Sequence, residues 1–120
     1  GVTCSFAMEC YEKKMLKEWN GLDLKWGNAE AQREFIKLMA KREGVGAIFA
    51  DGTKLASDKI GEQSKEFAIN IFGMELSGVN PLGCLTMSVS LSVSDFASHT
   101  RLWCTEAEMG PEFQIKDIPE

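Results

Sequence analysis

From Asn28 to Gly44 the chain carries a nearly complete specification for one helix, and no other stretch constrains the fold as strongly. Asn28 has the short polar side chain that caps a helix start. Ala31, Phe35, Leu38 and Met39 recur at the spacing of a single helical face. Glu30 and Glu34 come early while Lys41 and Arg42 come late, so each charge sits near the end of the helix dipole that favours it. Gly44 stands where a C′ glycine belongs. Such a stripe has to be buried against another element, which predicts a core of packed helices.

Two further runs supply partners for that stripe. Cys4, Met8, Tyr11 and Met15 share one face while Glu9, Glu12, Lys13 and Lys17 take the other, which predicts an amphipathic helix over residues ~3–17. The chain enters that pattern with no initiator methionine and no polar lead, and so reads as a cut inside a larger protein. Gly44-Val45-Gly46 turns into a third run, Ala47 to Lys59, with Ile48, Leu55, Ala56 and Ile60 inward and Gly61 after it. Gly52 lies inside this run, where glycine costs about 1 kcal/mol relative to alanine, and it is expected to mark close helix packing. The three runs together predict an αα-hairpin-like core.

After Gly61 the pattern changes. Leu22 to Trp26 is already a short apolar/polar alternation, and Phe67 to Phe72 is apolar and β-capable, with Gly73, Gly78 and Pro81 bracketing an irregular connection. Leu85, Met87, Val89, Leu91 and Val93 then alternate with Thr86, Ser88, Ser90, Ser92 and Ser94, a period of two that by itself predicts a half-buried strand. Met109 to Glu120 has two prolines and no period, which predicts an extended end. The expected class is mainly α, with about three helices plus short extended segments, treated as one compact unit with a helical part over 1–76 and a connection beginning at 77.

Composition narrows the function. The 13 Lys+Arg against 18 Asp+Glu leave a net charge of -5 without a basic run, which argues against nucleic acid and anionic membranes as partners. The longest charge-free stretch, Leu76 to Ser94, is rich in Ser, Gly, Asn and Thr and is not expected to span a bilayer. No secretory leader is legible, so a cytoplasmic location and reduced, mostly buried thiols are expected for Cys4, Cys10, Cys84 and Cys104. With no CxxC pair and a single histidine, His99, no recognisable zinc or iron–sulfur site is expected from this chain alone. His99 is the side chain that titrates nearest neutral pH, with Asp95 and Arg101 close in sequence, yet no nucleophile elbow, phosphate loop or dinucleotide loop accompanies it. Trp19, Trp26 and Phe35 read as packing residues flanking the helices.

Three motifs in register point further. Ala7-Met8-Glu9-Cys10-Tyr11-Glu12-Lys13, then Leu24-Lys25-Trp26-Gly27-Asn28-Ala29-Glu30, then Ala40-Lys41-Arg42-Glu43-Gly44-Val45-Gly46 resemble the tungsten-containing aldehyde ferredoxin oxidoreductases in order and spacing. The resemblance continues through Ala50-Asp51-Gly52, Ile60-Gly61, Gly73-Met74-Glu75-Leu76 and Asn80-Pro81-Leu82-Gly83 to His99. It covers nearly the whole chain and is similar to one internal stretch of those enzymes, from the second helical domain (1–76 here) into the start of the third (77–120).

This resemblance implies a parent enzyme that holds a tungsten or molybdenum bis-pterin and one [4Fe-4S] cluster, oxidises aldehydes to carboxylic acids and passes electrons to ferredoxin. It implies that His99 is the catalytic histidine beside the metal and that Arg101 replaces a lysine contacting the pterin. Asp95 falls at a cofactor-contacting position where the family has arginine, a departure that would repel a pterin phosphate. Leu82 replaces the family's arginine, and Arg33 replaces a histidine that binds an inter-subunit iron in some members, so no metal is expected at position 33. The cluster cysteines and pterin motifs are expected outside the chain, which alone would hold no cofactor and be inactive. Its partners would be the remainder of the parent, ferredoxin and a small aldehyde, with self-association through the faces left bare. The alternative is a non-catalytic helical scaffold or subunit-contact domain of a divergent paralogue.

Overall fold

The computed structural model describes residues 1–76, 78 and 85–93. The chain divides into two compact units, Gly1–Leu76 and Ser77–Glu120. In the first, helices α1 (Val2–Glu12), α2 (Ala29–Lys41), α3 (Gly46–Phe49), α4 (Thr53–Ile60) and α5 (Glu62–Lys65) are followed by strands β1 (Asn70–Ile71) and β2 (Met74–Glu75). The second contains α6 (Leu85–Val93). Helix dominates, so the mainly α class expected from the sequence is the class observed.

Helix α2 follows its sequence closely. The Asn28 side chain accepts a hydrogen bond from the Ala31 N–H at 3.2 Å, and Ala31 and Phe35 are buried. Its C-terminal end differs: the left-handed residue is Arg42, at φ 58°, with Gly44 also at positive φ two residues later. Helix α1 ends at Glu12 rather than near residue 17, because the chain turns back through Lys14 at φ 55°. Cys4, Phe6, Ala7, Met8 and Cys10 are all buried, so α1 is enclosed on more than one side rather than resting on a single stripe.

The expected single helix over 47–59 is two helices. Gly52 adopts φ 94° and ψ 173°, which no helix interior accepts, and it separates α3 from α4 as the residue preceding the latter. The break resets the helical phase: Phe49 turns into the core, while Leu55, expected inward, is 50% exposed. The glycine that permits close packing is Gly46, whose hydrogen faces the Leu38–Met39 backbone of α2, where a Cβ would overlap it. Gly52 instead faces the Glu75 carboxylate.

Phe49, 1% exposed, organises the core. Its ring meets Phe6 at 5.9 Å, Trp19 at 5.9 Å and Phe35 at 5.3 Å between centroids, joining α1, the α1–α2 connection and α2. Phe6 also meets Phe67 at 5.4 Å, which ties the segment before the hairpin to the same cluster.

The expected extended segment at 67–72 becomes an antiparallel hairpin, with Asn70 opposite Glu75 and Ile71 opposite Met74. Phe72 and Gly73 form its two-residue loop, at φ 52° and 83°, the handedness that matches strand twist. Glu75 returns the hairpin to the helices: its Oε1 accepts the Thr53 N–H at 2.6 Å and so caps α4 from a distant point in sequence. Burial is the largest single influence on the Glu75 carboxyl and acts to raise it, but the hydrogen bonds it accepts, that from the Thr53 backbone first among them, together outweigh burial and hold the group below its ordinary value.

The strand expected at 85–93 is helix α6. A run alternating with period two also contains an i, i+4 series, and on a helix the same residues separate into two sides. Leu85, Val89 and Val93 share one side and are exposed; Met87 and Leu91 lie on the other, where Met87 is buried. The serines do not oppose the helix, since Ser92 Oγ donates to the Ser88 carbonyl at 2.8 Å.

Two outcomes follow from this packing. Phe49→Ala empties the centre of the aromatic cluster and is expected to cost about 3–5 kcal/mol in urea unfolding. Glu75→Ala removes the remote cap, with an expected cost of about 1 kcal/mol at pH 7. Because the carboxyl titrates lower when folded, the unfolded chain binds the proton first as pH falls, so this contribution is present above the ordinary carboxylate value and lost below it. The gap between wild type and Glu75→Ala should therefore narrow as pH falls below the ordinary carboxylate value; a gap that stays constant as the carboxylates titrate would refute the capping role.

Candidate functional site

A cleft of about 660 Å³ lies where the end of α1 faces the α1–α2 connection. Tyr11, Trp19 and Trp26 give it aromatic walls, and Leu16 adds an aliphatic one. The Tyr11 and Trp19 rings meet edge to face, with centroids 5.3 Å apart and planes at 74°, so this wall is anchored in the core through Trp19. Trp26 is different. Its ring is 53% exposed, and its indole N–H donates to Glu12 Oε2 at 3.0 Å, which holds it at the cleft edge. Of the three aromatics read from sequence as packing residues, Trp19 and Phe35 are buried and Trp26 is not.

Polar groups behind the cleft are matched to one another. Asp23 accepts from the Tyr11 hydroxyl at 2.9 Å and from Lys25 Nζ at 3.1 Å, and its backbone carbonyl accepts from Asn28 Nδ2 at 2.9 Å. The bonds from Lys25 and Tyr11 hold the Asp23 carboxyl below its ordinary value, and the bond to Asp23 raises the Tyr11 hydroxyl. Asn28 thus serves twice: its oxygen caps α2 while its nitrogen fixes the connecting loop. Lys14 also lines the cleft, and its amino group has no hydrogen-bond or ion-pair partner among the described residues.

This arrangement can bind and orient, but it is not a reaction centre by itself. Among the described residues no three His, Cys, Asp or Glu side chains converge to hold a metal ion. Cys4 and Cys10 are free, buried thiols. Burial, with the Glu9 carboxylate adding to it, pushes the Cys10 thiol up to about 12, so it is not a thiolate at neutral pH. No helix among the described residues is long and apolar enough to cross a membrane.

His99, Arg101, Asp95 and Leu82 lie outside the described residues. Arg33 stands on α2 and pairs with Glu30 at 3.0 Å, both side chains being exposed. The aromatic cleft went unread in the sequence because its members are scattered between a helix end and an irregular loop; the available signal was Trp26, an indole in a segment with neither helical nor sustained strand period.

Comparison with known proteins gives these observations a family. The family described as "Aldehyde ferredoxin oxidoreductase, domains 2 & 3" matches residues 1–119. The chain is 32% identical over 101 residues to the "Aliphatic sulfonate oxidoreductase, WOR-like subunit" of Pyrococcus furiosus, a match covering 78% of this chain and 16% of that protein. It is 34% identical over 86 residues to the tungsten-containing aldehyde ferredoxin oxidoreductase of the same organism, covering 69% of this chain and 14% of that protein. The corresponding enzyme of Thermococcus kodakarensis is 30% identical over 86 residues. The chain thus spans 14–16% of the length of these curated relatives. No solved structure matches it. A mainly helical fold and a match running over 1–119 agree, and the chain belongs to the aldehyde ferredoxin oxidoreductase family, in the region of its domains 2 and 3.

Proposed function

We propose that this chain is the domain 2/3 portion of a cytoplasmic tungsten-pterin oxidoreductase that oxidises aldehydes to carboxylic acids and delivers electrons to ferredoxin. The observation that carries this reading is the family match over residues 1–119. Relatives named as tungsten-containing support the metal; molybdenum is the variant choice. The reading also includes one [4Fe-4S] cluster in the longer protein. The buried, separate thiols Cys4 and Cys10 do not form a four-thiolate set, so the described residues are not assigned to the cluster.

The donor chemistry of the matched positions fits a pterin in part. Two-electron oxidation at the metal is the chemistry such a cofactor supplies when bound. The Arg101 guanidinium is suited to grip a phosphate or pterin oxygen with two N–H groups. The His99 imidazole is suited to hold and release the proton that accompanies aldehyde oxidation. Asp95 does not fit, because a carboxylate beside a phosphate repels it. Asp95, with Leu82 and Arg33, supports the second reading, a scaffold or subunit-contact domain that has lost cofactor contacts. The exposed Leu85, Val89 and Val93 of α6 support self-association as part of that reading.

Two experiments decide between these. The longer protein, purified from cells grown with tungstate, should contain tungsten and iron and reduce a viologen dye when an aldehyde is added; metal-free protein with no dye reduction would leave only the scaffold reading. In that protein His99→Ala should lower turnover by about 10²- to 10⁴-fold with tungsten content unchanged, and Asp95→Arg should raise metal occupancy. Unaltered turnover in His99→Ala would remove the histidine from the site.

A further inference from the structure

The charges around the aromatic cleft are unequally committed. The Glu12 carboxylate is turned to the Trp26 indole N–H at 3.0 Å, and Lys25 is held by Asp23 at 3.0 Å. Lys13, on the adjoining rim, pairs with Glu9 at 3.6 Å and lies 5.1 Å from the centre of the Phe67 ring. Lys14 is the cleft cation left without an anion among the described residues. It is also held in a conformation that side chains rarely adopt, φ 55°, with its N–H bonded to the Tyr11 carbonyl at 3.0 Å. Backbone of that kind concentrates at ligand sites. The half-exposed Trp26 lines the same cleft, with its indole N–H engaged by Glu12.

We propose that this cleft binds a small aryl carboxylate, with its ring against Trp26 and its carboxylate on Lys14. An exposed flat ring selects a planar partner. An unpaired ammonium selects an anion; Lys25 is already neutralised by Asp23, and the Glu12 carboxylate on the cleft wall is taken up by the Trp26 indole N–H. A volume of about 660 Å³ admits a one-ring acid with room for bridging water. The acid formed from an aromatic aldehyde has this chemistry, so the cleft would serve as a product or effector site; that meaning rests on the proposed oxidation, whereas the binding does not.

The 120-residue chain, without metal, tests it. Benzoate is titrated while the indole N–H resonance of Trp26 is followed by NMR, with acetate, benzyl alcohol and phenyl phosphate as the other probes. Benzoate should shift the Trp26 signal saturably and bind at least about fivefold tighter than acetate or benzyl alcohol. Lys14→Gln should weaken benzoate about fivefold and leave benzyl alcohol unchanged, with the remaining amide spectrum intact. Trp26→Leu, a change at an exposed position, should weaken benzoate and benzyl alcohol alike. Equal binding of benzoate in Lys14→Gln, no saturable shift at tens of millimolar, or binding of phenyl phosphate with benzoate silent would each overturn the assignment. A metal-free longer protein would defeat the proposed oxidation while leaving this result standing, so the two failures are distinguishable.

Discussion

Everything in the first unit leans on the ring of Phe49. Three aromatic partners from three separate stretches of chain close on it, and a ring pair of this kind adds about 0.5–1.5 kcal/mol beyond the area it buries. The short helix α3 could not persist alone, since four residues form barely one turn. It exists because Gly46 lets it lie on the α2 backbone and because Phe49, one turn later, is gripped from three sides. A side chain at position 46 would lift α3 from α2 and withdraw Phe49 from all three partners together.

The same cluster reaches the cleft. Trp19 stacks on Phe49 on one side and meets Tyr11 on the other, so a cleft wall is continuous with the core. Tyr11 is steadied by Asp23, and Asn20 Oδ1 accepts the Val45 N–H at 2.6 Å, which fastens the α1–α2 connection to the start of α3. A loop so tied holds its aromatics in place without belonging to a helix or a strand.

Residues that act through local rules were legible from the sequence. Asn28, Ala31 and Phe35 specify α2 by themselves, and the structure keeps them in those roles. Residues whose role depends on a distant partner were not. Gly52 read as a packing glycine because nothing nearby reveals that Glu75, far along the chain, caps the helix beginning beside it. Leu85–Val93 read as a strand because alternation and an i, i+4 series coincide over so short a run. Imidazole chemistry drew notice to His99, but the roles given to His99 and Arg101 came from the family motifs, which local pattern could not supply.

Cys10 adds a last property to this architecture. Its thiol is fully enclosed by the core that α1 helps to build and is pushed up to about 12, so in the closed state it neither meets a reagent nor presents the reactive anion. Alkylation can reach it only when α1 leaves its seat. The residue therefore works as an internal clock: the rate at which it is labelled at neutral pH counts the excursions in which the first helix and the aromatic cluster part company.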